Sequence, residues 1–274
     1  MKTNKIGAPR MPTGRFRRSE VQLKSLLSRP AILKMIEDQE ILIDPFVPEN
    51  LGTNSYDVTL GPHYWAEVNP KSEVSKGNPT TGYGTDFIYN PYDEEHVKRL
   101  WVKQEAQPWG DLQFNTAKHQ LKNISSEDPV ILIRPGEAIL AHTIEFVGGS
   151  GNRVTTMMKA RSSVGRNFLE TARCAGMGDI GYCNRWTMEI TNNSRYHTIP
   201  LVVGRRIAQI VFFETDPITD RDYTQTGKYQ TLRHLSDMQA AWKPEDMLPK
   251  MYLDREVTDE GSGSAQEAQG DSDR

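Results

Sequence analysis

The sequence lacks several features that define common classes of protein. It has two cysteines, Cys174 and Cys183, too few for a disulfide framework or a structural zinc site, so we expect both to be reduced thiols in the core or near a site. No apolar run approaches the roughly 20 residues that span a bilayer. No apolar segment of the kind found in secretory signals follows the basic N-terminus. We therefore expect a soluble, cytoplasmic protein.

Apolar residues are also few, at 36% of the 274 positions, which suggests that part of the chain does not pack into a core. Residues 1–18 hold six basic residues and no acid, whereas residues 254–274 hold seven acids. We interpret 1–30 as a basic N-terminal extension and 236–274 as a C-terminal extension that is acidic and disordered at its end. The net charge of −3 indicates no broad basic surface, so nucleic acid is not an expected partner.

Between the two extensions, at 31–235, the hydrophobic pattern predicts mostly short strands. Residues 31–46 have the spacing of a short amphipathic helix, and residues 54–68 alternate as a half-buried strand does. The irregular stretch 69–128 is interpreted as an insertion that carries a helix of its own at 93–106. After it, short apolar segments alternate with turns containing Gly and Pro, which indicates an all-β sandwich or barrel.

The densest group of polar residues is "KARSSVGR" (159–166), directly after a predicted strand. The following residues, 164–175, are predicted to form a helix, so that Ser162 and Ser163 would occupy its N-cap position or the neighbouring one. Free backbone N–H groups, the two hydroxyls and Arg161 would then form an anion pocket suited to phosphate. Ordinary helix capping explains the same residues, and this stretch alone does not separate the two interpretations.

A second group lies in "DIGYCNRWTMEITNN" (179–193), which has the pattern of a hairpin. Asp179 begins a tight turn in which Gly181 supplies backbone freedom and Tyr182 an aromatic face. Alternation along the second arm places Glu189 on the face opposite the apolar one. A buried carboxylate there must be paired or take part in chemistry, whereas an exposed one needs no function, and alternation does not decide between them.

Two more motifs follow. In "GRRIAQIVFF" (204–213), Gln209 lies within an apolar strand. In "GKYQ" (227–230), after the predicted strands end, Lys228 and Tyr229 are placed to close over a ligand.

Taken in order, these motifs resemble those of the dCTP deaminase branch of the dUTPase superfamily, with "NSYDVTLG" (54–61) as a further match. The resemblance covers about 31–68 and 129–233. It implies an all-β fold, a distorted jelly roll (a dUTPase-like β-clip or barrel) with a few short helices. It also implies a homotrimer whose sites are shared between subunits, and the deamination of dCTP to dUTP and ammonia, feeding dUMP and dTTP synthesis.

The resemblance assigns roles residue by residue. Glu189 matches the catalytic glutamate that activates water, Ser162 the serine that holds this water together with the backbone near Ala175, and Arg166 the arginine that orients the glutamate. The other matches bind substrate: the triphosphate (Arg161, Ser163), the deoxyribose (Asp179, Tyr182), and the segments that complete the site (Gln209, Lys228, Tyr229).

A metal at the base is not implied. The H-x-E and C-x-x-C patterns of zinc-dependent deaminases do not occur in the sequence. Mg²⁺ is expected to bind the oxygens of the triphosphate, with no protein side chain as ligand, and zinc is not expected.

Departures from the family pattern leave more than one activity open. Leu232 stands where the family motif "GKYQxQ" ends in Gln, which puts one phosphate contact in doubt. The form of the Asp179 turn is closer to dUTPases and to bifunctional deaminases, which continue to dUMP and pyrophosphate. Two further hypotheses are a dUTPase-like nucleotide pyrophosphatase, against which Glu189 argues, and a non-catalytic nucleotide-binding paralogue.

Overall fold

The computed structural model describes residues 26–67, 88–112, 121–173, 175–219 and 222–257. Predictions for the basic N-terminus, for Cys174 and for the acidic end of the chain therefore lie outside the described residues. The strands are β1 Ile41–Asp44, β2 Tyr56–Glu67, β3 Trp101–Glu105, β4 Gln107–Pro108, β5 Pro129–Ile133, β6 Ala138–Gly149, β7 Val154–Ala160, β8 Leu169–Glu170, β9 Met177–Gly178, β10 Cys183–Asn192, β11 Ile199–Val202 and β12 Arg206–Glu214. The helices are α1 Arg29–Glu37, α2 Glu94–Leu100, α3 Ser162–Gly165, α4 Tyr223–Thr226 and α5 Leu235–Ala241. The prediction of a mostly β fold with a few short helices is confirmed.

Two sheets organise the strands. The larger has nine strands in the order β8-β10-β6-β2-β12-β7-β9, with β1 also paired to β6 and β3 to β2. The smaller has the order β11-β5-β4. Every pairing between the described strands is antiparallel, and β10 alternates between a core face and an outer face, whereas β6 is buried on both faces along most of its length. The outer face of β6 and β10 carries the candidate site.

The first predicted helix is shorter than its pattern indicated. Pro30 lies in the first turn of α1, where its missing N–H is not needed, and the helix ends at Glu37. Gln39 then has a φ of 61°, which is incompatible with continuing the helix. Ile41 and Ile43 are buried in β1 on β6, so the prediction that the helix continues through Ile41 to a stop at "DPF" (44–46) is wrong. The apolar pattern over 31–46 combines the period of a helix with that of a strand.

The second predicted helix, at 164–175, is also wrong. Only α3 forms, and it spans four residues. Phe168 has a φ of 66° and turns the chain into β8, which pairs with β10. In the insertion, the helix predicted over 93–106 ends at Leu100, because the next residues pair with β2 as strand β3.

Strand β10 follows the predicted alternation, but the predicted hairpin is wrong. Trp186, Met188 and Ile190 are buried in the main core. The residues before the Asp179 turn form β9, which pairs with β7 and not with β10. The turn therefore carries the chain from one end of the nine-stranded sheet towards the other.

Residues 236–257, which the sequence places in the C-terminal extension, pack onto the outer face of β2 and β6. Met238 and Met247 are buried, and Met247 forms an apolar cluster with Trp65 and Leu140. The indole Nε1 of Trp65 donates to the carbonyl of Pro244 at 2.8 Å. Within the ranges given above, no helix is long and apolar enough to cross a membrane.

Candidate active site

A cavity of about 490 Å³ lies over the outer face of β10 and β6. Its floor includes Thr187 and Glu189 of β10, and Leu140 of β6, the residue paired with Glu189. The predicted site residues that line it are Ala175, Asp179, Tyr182, Glu189 and Tyr229. One chain therefore brings together the predicted catalytic glutamate and the predicted sugar-binding turn.

The cavity shows whether Glu189 is buried or exposed, which the alternation along the strand did not decide. The face opposite the apolar one is neither core nor open solvent, because the wall above it half-buries the carboxylate. Burial raises the pKa of Glu189 above its ordinary value, although the nearby charge of Arg173 acts in the opposite direction. A carboxyl group that is easier to protonate than usual is suited to exchanging protons with a bound substrate.

The Asp179 turn is built as the sequence predicts. The N–H of Tyr182 donates to the carbonyl of Asp179 at 3.0 Å, and Gly181 has a φ of +89° that favours glycine. The Tyr182 ring lies edge-on to Trp186, with centroids 5.2 Å apart, and edge-on to Tyr223 at 5.1 Å. Burial raises the pKa of Tyr182, so its hydroxyl stays neutral.

Gln230 ties the "GKYQ" segment to this turn. Its side-chain oxygen accepts from the N–H of Cys183 at 2.7 Å, and its Nε2 donates to the carbonyl of Gly181 at 3.2 Å. Sequence reasoning assigned no role to this glutamine, although a polar residue that is only 5% exposed must find partners. The Cys183 thiol beside it is free, and burial raises its pKa to about 12, as expected for an inert core thiol.

The other predicted residues do not line this cavity in the single chain. Ser162, Ser163 and Arg166 are exposed on and beside α3. The N-cap position of α3 is Arg161, with no side-chain capping bond, and Ser162 is the next residue, so the structure gives no support to ordinary serine capping.

Three further predicted contacts lie elsewhere. The Arg161 guanidinium pairs with Asp57 at 3.1 Å, and Gln209 lies on β12 opposite Lys159. Lys228 pairs with Asp254 and lines a smaller, adjoining cavity.

Sequence reasoning missed one wall of the main cavity. Trp101 comes from the insertion, and Trp242, Asp246, Met247 and Pro249 come from the C-terminal extension. The three methionines and the tryptophan of this extension are a signal that it packs, because apolar side chains of that size are rarely all left in solvent.

Arg185 also lines the cavity. Its guanidinium carbon lies 4.5 Å from the Trp242 ring and 4.9 Å from the Phe146 ring, and its Nε donates to the carbonyl of Ile144 at 3.2 Å. These contacts fix the arginine at the edge of the C-terminal wall.

Comparison with known proteins identifies the family. A family model described as dCTP deaminase-like matches residues 86–215. The "dCTP deaminase, dUMP-forming" of Cytophaga hutchinsonii is 30% identical over 157 residues, which cover 54% of this chain and 84% of that protein. The chain belongs to the dCTP deaminase family.

A second relative extends over more of the chain. The "dCTP deaminase, dUMP-forming" of Persephonella marina is 28% identical over 211 residues, which cover 76% of this chain and 93% of that protein. A solved 2′-deoxycytidine 5′-triphosphate deaminase from Agrobacterium tumefaciens superposes with a TM-score of 0.45 at 14% identity, over 70% of this chain and about half (48%) of that one. The two relatives confirm the dCTP deaminase resemblance found in the sequence motifs.

Proposed function

We propose that this protein is a dCTP deaminase that releases dUMP. The observation that carries the proposal is the placement of Glu189, with its raised pKa, in one cavity with Asp179 and Tyr182. Such a perturbed carboxyl group in a cleft is a candidate for acid–base chemistry. Membership of the family and the names of both relatives support cytosine nucleotide as the substrate.

Deamination requires one group that moves protons. Ionised Glu189 takes a proton from a water molecule as the water oxygen bonds to C4 of the cytosine ring. Glu189 then delivers this proton to the ring nitrogen beside C4. Glu189 next takes the proton of the new C4 hydroxyl and delivers it to the amino group, the C4–N bond breaks as the C4 carbonyl forms, and ammonia leaves the uracil nucleotide.

The release of dUMP requires a second water molecule, which attacks the phosphate. We assign Asp179 to the 3′-hydroxyl of the deoxyribose and to the positioning of that water, with Tyr182 against the sugar face. The bond between the α-phosphorus and the bridging oxygen breaks, giving dUMP and pyrophosphate. The sequence favoured dUTP as the released product and kept dUMP as the alternative; the names of the relatives now favour dUMP.

A second copy of the chain completes the site in this proposal. Ser162 would hold the water and Arg166 would orient Glu189, but both lie on an exposed surface away from the cavity of their own chain. Phe168 beside them is 58% exposed and is an apolar side chain that a neighbouring copy would cover. A homotrimer with sites shared between copies accounts for both observations.

Mg²⁺ is assigned to the substrate. The parts of the chain that the structure describes contain no group of three or more His, Cys, Asp or Glu residues that could hold a metal ion. The triphosphate itself offers oxygens at the spacing that Mg²⁺ prefers, and neutralising their charge is what the ion supplies. We place the enzyme in the cytoplasm, where nucleotide pools are made.

A product assay tests the proposal directly. The protein is incubated with dCTP and Mg²⁺, and ammonia, dUTP, dUMP and pyrophosphate are measured over time. Ammonia, dUMP and pyrophosphate in equal amounts are expected. Accumulation of dUTP would instead indicate a dedicated deaminase, and hydrolysis of added dUTP without deamination of dCTP would indicate a plain pyrophosphatase.

Replacement of Glu189 separates chemistry from binding. Glu189→Gln keeps the shape of the side chain but cannot take a proton, so deamination should fall about 10²- to 10⁴-fold while dCTP binding is retained. The matched control is Glu170→Gln, an exposed carboxylate on the neighbouring strand β8, which should leave the rate unchanged. A fully active Glu189→Gln variant would show that the catalytic assignment is wrong.

A further inference from the structure

A second cavity of about 280 Å³ continues the Glu189 cavity towards the C-terminal extension. The two cavities share four lining residues, namely Asn184, Tyr229, Trp242 and Asp246. The second cavity lies between the "GKYQ" segment and the chain from α5 to Lys250. A ligand whose reactive end is at Glu189 can therefore extend into it.

Lys250 places its ammonium group at this second cavity. The Nζ atom donates to the carbonyl of Lys228 at 3.2 Å and lies 5.1 Å from the centroid of the Tyr229 ring. The backbone N–H of Lys250 donates to the Tyr229 hydroxyl at 3.1 Å. Both the main chain and the side chain of Lys250 are thus held against the "GKYQ" segment.

The charge of Lys250 is not neutralised locally. The Lys228 ammonium forms an ion pair with the Asp254 carboxylate. Across the described part of the chain, no carboxylate forms an ion pair with Lys250, whose partners are a neutral carbonyl and an aromatic ring. The carboxylate of Asp246, which lines the same cavity, accepts the backbone N–H of Lys243 at 3.0 Å. Lys250 is therefore the cation best able to attract an anion there.

The residue of this cavity at which the family motif has a polar side chain is apolar in this chain. Leu232 lines the cavity and offers no polar atom, at the point where the "GKYQ" motif leaves one phosphate contact in doubt. We propose that Lys250 binds the triphosphate tail of the nucleotide and supplies the contact that Leu232 cannot make. An ammonium group binds phosphate oxygens as a point charge, without the fixed geometry that arginine requires. This inference rests on the proposed function, which places the base at Glu189.

Lys250 lies outside the residues that the family model matches, 86–215, and outside the "GKYQ" motif. Its assignment comes from the path of residues 235–257 across the outer face of the sheet. The extension would therefore take part in substrate binding as well as in packing.

Replacement of Lys250 tests the inference. Lys250→Met removes the charge and keeps most of the apolar stem, so the KM for dCTP should rise about 10- to 100-fold with little change in kcat, as expected for one lost charge-assisted contact. Lys250→Arg should recover most of the affinity. The matched control is Lys243→Met, which removes the same charge from an exposed position of the same segment and should leave KM unchanged.

Two competitive inhibitors separate phosphate binding from a structural role. The inhibition constant of inorganic triphosphate should rise in Lys250→Met in parallel with KM, whereas that of deoxycytidine, which has no phosphate, should stay constant. If both constants rise together, or if neither KM nor the triphosphate constant changes, the inference is wrong. Calorimetric titration of triphosphate into the wild type and Lys250→Met measures binding without turnover; if only the wild type binds but dCTP is not turned over, the proposed function fails and the phosphate site stands.

Discussion

Glu189 sits where its surroundings oppose its charge. The wall formed by the insertion and the C-terminal extension removes water from one side of the carboxylate, and burial raises its pKa. Burial also makes the ionised form of this carboxylate costly to the folded state. If Glu189 is the catalytic glutamate, as we propose, function and stability are opposed at this one residue.

This opposition predicts a dependence of stability on pH. Because the folded protein binds the Glu189 proton more tightly than the unfolded chain does, this residue lowers stability as pH rises through the interval between the two pKa values, and the loss persists above it. Glu189→Gln removes the effect, so the variant should have the higher Tm at pH 7. The gap in Tm should close as pH falls below about 4.3, the ordinary glutamate pKa.

Thermal unfolding measured at several pH values checks this prediction. Glu170→Gln, on the surface of β8, should give a Tm close to that of the wild type at every pH. A gap between Glu189→Gln and the wild type that is independent of pH, or a less stable variant at neutral pH, would contradict the effect of burial.

At the residue scale, the sequence could predict which residues belong to the candidate site but not what surrounds each of them. Alternation along β10 placed Glu189 correctly on the face opposite Met188, because a strand has a fixed period of two. What covers that face is Trp242 and Met247, far along the chain, and no local pattern links them to β10. The half-buried state of the carboxylate is a product of tertiary packing.

At the scale of elements, the ring of His142 on β6 packs directly against Gly61 of β2, where the pairing of the two strands is irregular. A Cβ atom on Gly61 would overlap the ring of His142, which is almost fully buried. The His142 ring lies 4.6 Å from that of Trp242, and its Nε2 accepts the N–H of His63 at 3.4 Å. Burial lowers the pKa of His142 to about 4, so the ring packs in its neutral form. The contact thus joins β2 and β6 to the C-terminal extension.

Gly61→Ala should therefore destabilise the fold. The ring of His142 has no room to move, so the strands must separate, at a cost of about 1–3 kcal/mol or more in the free energy of unfolding. Gly165→Ala in α3 is the matched control, since a Cβ atom there meets nothing within 4 Å, and a change of less than about 0.5 kcal/mol is expected. Urea unfolding measures both. Equal effects of the two substitutions would show that the close approach does not control stability.

The strands were predicted better than the helices for a physical reason. The helices predicted over 31–46 and 164–175 both end early. Shortly after the end of α1 and of α3, Gln39 and Phe168 respectively have positive φ. Residues other than glycine rarely adopt a positive φ, so the identities of Gln39 and Phe168 do not predict it. Pairing of β1 with β6 and of β8 with β10 outweighs the local helical periodicity.

At the scale of the whole molecule, the predicted catalytic set is divided between two surfaces. Glu189 and Asp179 share a cavity, whereas Ser162 and Arg166 lie on the exposed surface around α3. If one copy supplies the first pair and a neighbouring copy the second, activity belongs to the assembly and not to the single chain.

Mixing two inactive variants tests this division. Glu189→Gln and Arg166→Ala are unfolded together and refolded, so that random trimers form. Each mixed trimer then has one site with an intact Glu189 and an intact Arg166, and about a quarter of the wild-type activity should return. A mixture of Arg166→Ala with Ser162→Ala should stay inactive in deamination, since both residues lie on the α3 surface of one chain. Equal recovery in the two mixtures, or none in either, would refute a site shared in this way.

The wall that Trp242, Met247 and Pro249 form is built by a segment that follows the last strand of the sheet. No sheet pairing includes these residues, so substitutions in them can alter the shape of the cavity while the strands and Glu189 stay in place. During evolution, substitutions in this segment could therefore change which nucleotides the protein accepts. For protein engineering, Trp242 and Pro249 are wall positions at which variation acts on recognition while no strand pairing is changed.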